Sequence, residues 1–207
     1  MNDGAAITFS LQAFVTLLVI LDPPGATPLF LSLTRGQERK NQIRMAWLAA
    51  GTSLLIITLF ALFGQLIVSY LDISIAALQG AGGLLLLLVS LDLLKGNDSM
   101  RSESSAKSLA LVPLGTPLLA GPGAIVTIML FAQHVTGVSM GLGIAAAIIG
   151  AHLVIGISLT CATSIISVIK ESGVMLLAKI AGLLTAAIAF QMLINGIQEM
   201  KIGRAHV

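Results

Sequence analysis

Asp22 is the only carboxylate set deep inside an apolar run. Three prolines and a glycine follow it, in Leu21-Asp22-Pro23-Pro24-Gly25-Ala26-Thr27-Pro28. A proline removes a backbone donor and clashes with the preceding helical turn. Two in a row, followed by glycine, predict a break in a helix. A second break is written at Gly121-Pro122-Gly123-Ala124-Ile125. A helix that restarts after a break presents unsatisfied N–H groups and the positive end of its dipole. The expected donors are Gly25, Ala26 and Thr27 at the first restart and Gly123, Ala124 and Ile125 at the second. Glycine lets a ligand approach the backbone closely, and a carboxylate fits such a helix end as anions do generally. The carbonyls that close the preceding half-helices, near residues 19–21 and 118–120, suit an ammonium group or a cation. One site with both polarities suits a zwitterion, that is, an amino acid. The substrate-binding set read this way is Asp22, Pro24, Gly25, Ala26, Thr27, Gly121, Gly123, Ala124 and Ile125.

Each of these features also has a purely structural reading. A charge at that depth costs at least ~2.5 kcal/mol on insertion scales, which marks Asp22 as functional by default. It either receives an ammonium or carries a proton, or it caps the restarted helix by accepting N–H bonds. One residue can do both. The Pro-Gly pairs read as a site or as plain proline kinks. Thr27 and Thr116 flank the breaks and either donate hydroxyls to a ligand or satisfy their own helix backbone. Asp22, His152 and Gln191 are the candidates for coupling to H⁺ or Na⁺. The structural alternatives are a hydrogen-bonded packing role for His152 and interhelical bonding for Gln191 and Asn195. Asp92 lies three residues before Lys95 and reads as half of an interfacial ion pair. Cys161, the single cysteine, sits in an apolar run and reads as a small core residue. No serine–histidine–aspartate spacing, phosphate loop or metal-ligand pair occurs, so neither an enzyme nor a bound metal or cofactor is expected.

The elements that must hold these residues are membrane helices. Of 207 residues 57% are hydrophobic and 10% charged, against about 25% charged in a soluble domain. The mean hydropathy is +1.01. Apolar runs of helical length recur, whereas barrel strands would alternate over short segments. The net charge of +2 is too small to suggest a nucleic-acid partner. The N-terminus lacks the basic start of a signal peptide, so the first helix is expected to be retained.

Six spans are expected: 7–33 (interrupted at 22–25), 46–70, 74–94, 109–133 (interrupted at 121–123), 138–168 and 174–200. Lys and Arg concentrate in loops 34–45, 95–108 and 169–173, which places these loops in the cytoplasm and both termini outside. Pro24-Gly25-Ala26 returns as Pro122-Gly123-Ala124, and Gly83-Leu84-Leu85 returns as Gly182-Leu183-Leu184. Five of the six prolines lie in or near the two breaks. The chain therefore divides into a first three-helix repeat (1–95), a polar connector (96–108) and a second repeat (109–207). Three is odd, so the second repeat crosses the membrane inverted. Inverted repeats with a broken helix at corresponding positions point to a secondary transporter and its binding site. Gly80, Gly82 and Gly83 permit close helix contact, within the protomer or against a second copy.

Asp22-Pro23-Pro24-Gly25-Ala26-Thr27-Pro28-Leu29-Phe30 resembles the Asn/Asp-Pro-x-Gly-x-x-Pro-x-Phe signature of the MarC family. The stretch from Val112-Pro113-Leu114 through Pro117-Leu118-Leu119-Ala120-Gly121-Pro122-Gly123-Ala124-Ile125 is similar to its second signature. The resemblance spans nearly the whole chain. It implies a six-helix inner-membrane protein of the small neutral amino acid transporter group, with glycine- and alanine-type substrates. Relatives that carry Asn where this chain has Asp22 weaken a proton role there and favour substrate or helix-end contacts. The alternatives are an exporter of drugs or other small solutes and a non-transporting membrane protein of stress response. Scarce aromatics (4%) argue against a large drug cavity.

Overall fold

The computed structural model describes residues 3–34, 36–95 and 119–204. The connector at 96–108, Thr116 and the first part of the fourth expected span lie outside the described residues, as do the side chains of Asp92 and Lys95. Seven helices are described, numbered here in chain order: α1 (Asp3–Leu21), α2 (Pro23–Leu33), α3 (Arg39–Tyr70), α4 (Ile75–Lys95), α5 (Pro122–Gln133), α6 (Val138–Thr160) and α7 (Ala162–Arg204). Four stretches are long and apolar enough to cross a membrane: Ala6–Pro28, Arg39–Tyr70, Val138–Thr160 and Met175–Met200. Ile75–Leu91 and Pro122–Gln133 are shorter apolar helices. Leu11, Leu55, Leu62, Leu88, Leu142 and Leu183 are all more than half exposed. On a water-facing surface that row of leucines would be untenable, whereas lipid tails accept it.

Several boundaries differ from the sequence-based expectation. The first break occupies Asp22 alone, not 22–25, because Pro23 and Pro24 take the first two helical positions of α2. Proline is tolerated there, since its missing N–H would have been an orphan anyway. The second helix starts at Arg39, not at 46. At 32 residues it is about 48 Å long, against a hydrocarbon core of about 30 Å. Its first turns, with exposed Arg39, Lys40 and Arg44, extend beyond the apolar part, so most of the expected loop 34–45 is helical. The fifth helix ends at Thr160 rather than running to 168, with Cys161 as its C-cap. Cys161 is exposed, not a core residue. A loop at 169–173 is replaced by a kink inside α7, where Lys170 takes φ 60° and ψ 163°.

Packing pairs fix the relative directions of the helices. Gly143 lies against Ser10 and Gly150 against Phe14, so α6 runs parallel to α1. Trp47 covers Gly156 and Ser53 meets His152, so α3 runs antiparallel to α6. Gly82 meets Val126 and Gly123 meets Leu86, so α4 opposes α5. Gly83 meets Ala189 and Leu193, and Gly196 meets Ala76, so α4 also opposes α7. Gly82 and Gly83 therefore serve contacts within the protomer. The main core gathers Leu17 and Leu21 of α1, Ala26 and Phe30 of α2, Ala49 and Ile57 of α3, Ala124 and Ile128 of α5, and Ala151 and Ile155 of α6. Alanine supplies much of it, which lets the helix backbones approach closely.

Candidate functional site

The geometry at Asp22 follows from its backbone. Asp22 takes φ 44° and ψ 67°, in the left-handed region that Asp and Asn tolerate better than other non-glycine residues. This turn brings its carboxylate over the start of α2. Gly25 N–H donates to Asp22 Oδ1 at 3.2 Å, and Ala26 N–H donates to the Asp22 carbonyl at 2.9 Å. Pro23 and Pro24 have no N–H to satisfy. Thr27 Oγ1 donates to the Pro23 carbonyl at 2.7 Å, so this hydroxyl serves its own helix. The expected donors Gly25 and Ala26 are thus already engaged by Asp22, and the capping reading is the one the geometry displays. Gly25 is required at its position, because a Cβ there would collide with the Asp22 carboxylate.

This cap has a measurable consequence. Asn keeps both the left-handed conformation and the accepting oxygen, so Asp22→Asn is expected to melt within a degree or two of wild type. Asp22→Ala loses the cap and strains the backbone, for about 1–2 kcal/mol. Thermal unfolding in detergent checks the ordering.

The second restart is built differently. Gly121 is the N-cap of α5, with φ −66° and ψ 162°, and no side chain caps the helix. Pro122 follows, and Ile125 N–H donates to the Gly121 carbonyl at 3.2 Å. Gly123 and Ala124, which hold the donors left over, are both buried. Ala26 and Ala124 belong to one core, so both restarts abut the same packed centre.

His152 lies elsewhere, buried between α6 and α3. Its Nδ1 is 2.7 Å from the Ile148 carbonyl and its Nε2 is 3.0 Å from Ser53 Oγ. A carbonyl only accepts, so Nδ1 carries the proton and Ser53 donates to Nε2. Both ring nitrogens are occupied. Removing the donor leaves Nε2 buried without a partner, so Ser53→Ala is expected to cost about 1–3 kcal/mol. Chemical denaturation of that variant beside Ser53→Thr, which keeps the hydroxyl, tests this.

One polar concavity was missed by sequence reasoning. A cavity of about 640 Å³ lies between α1, α4, α5, the start of α6 and α7. Its polar lining is Gln12 and Thr16 of α1, Gln79 of α4, Thr127 of α5, His134, Thr136, and Gln191 and Asn195 of α7. Phe9 and Phe131, whose rings meet edge-to-face at 5.6 Å, also border it. Among the described residues, no Asp, Glu, Lys or Arg lines it. Of the residues singled out from sequence, Gln191 and Asn195 are here. Their carboxamides bond each other, Gln191 Nε2 donating to Asn195 Oδ1 at 2.8 Å, rather than joining two helices. Thr127 stands one helical turn beyond Gly123, so the cavity leads toward the second restart. Asp22 and Pro24 border a separate, smaller pocket of about 240 Å³ walled by Leu18, Val154, Leu177 and Leu184. One signal did exist in the sequence: Gln12 with Thr16, and Gln191 with Asn195, are polar pairs four apart in apolar helices. Such pairs share one helix face.

A helical bundle with a lipid-compatible exterior and apolar helices long enough to cross a membrane defines an integral membrane protein. The chain belongs to the MarC family, described as MarC family integral membrane protein, which it matches over residues 7–201. It is 35% identical over 199 residues to a UPF0056 membrane protein of Methanocaldococcus jannaschii, covering 93% of this chain and 97% of that one. It is 30% identical over 205 residues to the UPF0056 membrane protein YvbG of Bacillus subtilis, covering 93% and 96%. No solved structure matches it.

Proposed function

We propose that the protein is a secondary transporter of small neutral amino acids, of glycine or alanine type, in the inner membrane. The observation that carries this reading is a polar cavity among apolar helices, with no formal charge among its described lining residues. A bare ion buried in such surroundings is expensive without a paired charge. A zwitterion brings its own compensating charge, and carboxamides and hydroxyls can bond both of its ends. Glycine and alanine are small enough to enter a space of about 640 Å³.

The pairwise helix directions support six crossings with the second half inverted, because α1 and α6 run together while α4 opposes α5 and α7. In this reading α1 with α2 forms one crossing, broken at Asp22, and α5 completes a fourth that restarts at Pro122. Both termini lie outside, and the basic segments 34–45, 95–108 and 169–173 are cytoplasmic. The cavity is then the outward vestibule. Cargo passes Thr127 to the buried N–H groups of Gly123 and Ala124, which receive its carboxylate. Asp22 holds the first restart rigid rather than meeting the cargo. The cycle involves no bond chemistry and no cofactor, and H⁺ or Na⁺ drives it.

Uptake of labelled glycine by proteoliposomes tests the proposal. Uptake above that of protein-free vesicles, competed by alanine, is the expected result. Equal counts with and without protein would remove the substrate class.

A further inference from the structure

We infer that Gln79 reads the donor end of the cargo, and that this donor is a primary ammonium. This rests on the proposed transport reading and assigns a residue to one end of its substrate.

Gln79 is 7% exposed and lines the cavity. Its Oε1 has no hydrogen-bond partner among the described residues. A buried acceptor without a partner carries an uncompensated desolvation cost, and folded proteins keep few of them. The Gln79 Cβ faces α7 at Gly196. Gln79 therefore brings a buried acceptor without a partner to the lining of a solute-sized space.

Two more acceptors border the same cavity. Gln191 gives its Nε2 to Asn195, which leaves its Oε1 for another partner. His134 Nδ1 lies 2.7 Å from the Leu130 carbonyl and carries the proton, so in the neutral ring its Nε2 accepts. An ammonium has three donors and no acceptor, which suits such a set. A hydroxyl brings only one donor. Among the described residues the lining has no carboxylate, so an ammonium there is best paired with an anion of its own. That restricts the class to zwitterions over simple amines.

The test uses the purified full chain in detergent, melted alone and with glycine, alanine, ethylammonium or acetate, for wild type and Gln79→Met. Methionine conserves the volume and removes the acceptor. The expected result is twofold. Without solute the variant melts above wild type, because the orphaned acceptor is gone. With glycine its stabilisation needs about 10- to 100-fold more solute, the worth of one hydrogen bond to a charged group. A variant that melts below wild type without solute would make Gln79 a structural residue and overturn the inference. So would an unchanged glycine dependence, although the transport reading would then stand. If ethylammonium stabilises wild type, neither amino acid does, and Gln79→Met loses the response, Gln79 keeps its role and the amino-acid reading falls. If no ammonium compound shifts wild type, the ammonium assignment falls.

Discussion

Gly83→Val is expected to be the most damaging single substitution on the α4 surface. A Cβ at Gly83 would stand 2.7 Å from the Ala189 carbonyl oxygen and 3.0 Å from Leu193 N. Both are helix backbone atoms and neither can swing aside, so α4 and α7 must separate. Valine adds two methyl groups beyond that Cβ. Overpacking of this kind costs about 3 kcal/mol, the upper end of its usual range. The neighbour provides the control. Nothing lies within 4 Å of a Cβ added at Gly80, so Gly80→Ala removes a glycine from a helix at no steric cost. It is expected to be neutral or stabilising by up to ~1 kcal/mol. Thermal unfolding of the two variants beside wild type decides the matter. Equal melting of Gly83→Val and wild type would mean that α4 does not pack on α7 through this glycine.

The second large effect concerns transport. Asn195 lies at the cavity wall and is only partly buried, so its side chain has space in front of it. Asn195→Trp is expected to project an indole across the cavity and abolish glycine uptake, leaving proteoliposome counts at the protein-free level. The indole is accommodated in existing space, so melting temperature should change little. Transport that survives the indole at wild-type rate would move the route away from this cavity. Loss of transport together with a large fall in melting temperature would point to misfolding instead, and the smaller Asn195→Phe would then separate the two.

The contrast between the break and the cavity shows what residue order can and cannot convey. Pro23-Pro24-Gly25 announces a discontinuity through covalent chemistry alone, so its place was legible. Its consequences were not. The left-handed φ of Asp22 aims the carboxylate at Gly25 N–H, and a residue type does not specify φ. The start of α5 at Pro122 was legible in the same way, and Gly121, having no side chain, gives no cap of its own. Helix ends were less legible where hydropathy was the guide. Arg39, Lys40 and Arg44 end an apolar run, yet Arg and Lys are good helix formers and α3 continues through them. At the other extreme, the run through Cys161 stays apolar while the helix stops. The cavity is the clearest case. Its polar residues come from separate helices, and each alone is an unremarkable Gln or Thr. Only packing collects them, although the four-residue spacings of Gln12 with Thr16 and Gln191 with Asn195 marked two of the contributing faces.

Cargo on its way to the Gly123 and Ala124 N–H groups occupies this cavity, and occupancy can be read directly. The chain has one cysteine, Cys161, so Cys161→Ala with Asn195→Cys carries a single thiol at the cavity wall. Its rate of reaction with a membrane-impermeant maleimide is measured in proteoliposomes, with and without saturating glycine. The account predicts labelling that glycine and alanine slow severalfold and acetate leaves unchanged. An identical labelling rate with and without glycine, in a protein that still transports it, would contradict the account and place the cargo elsewhere.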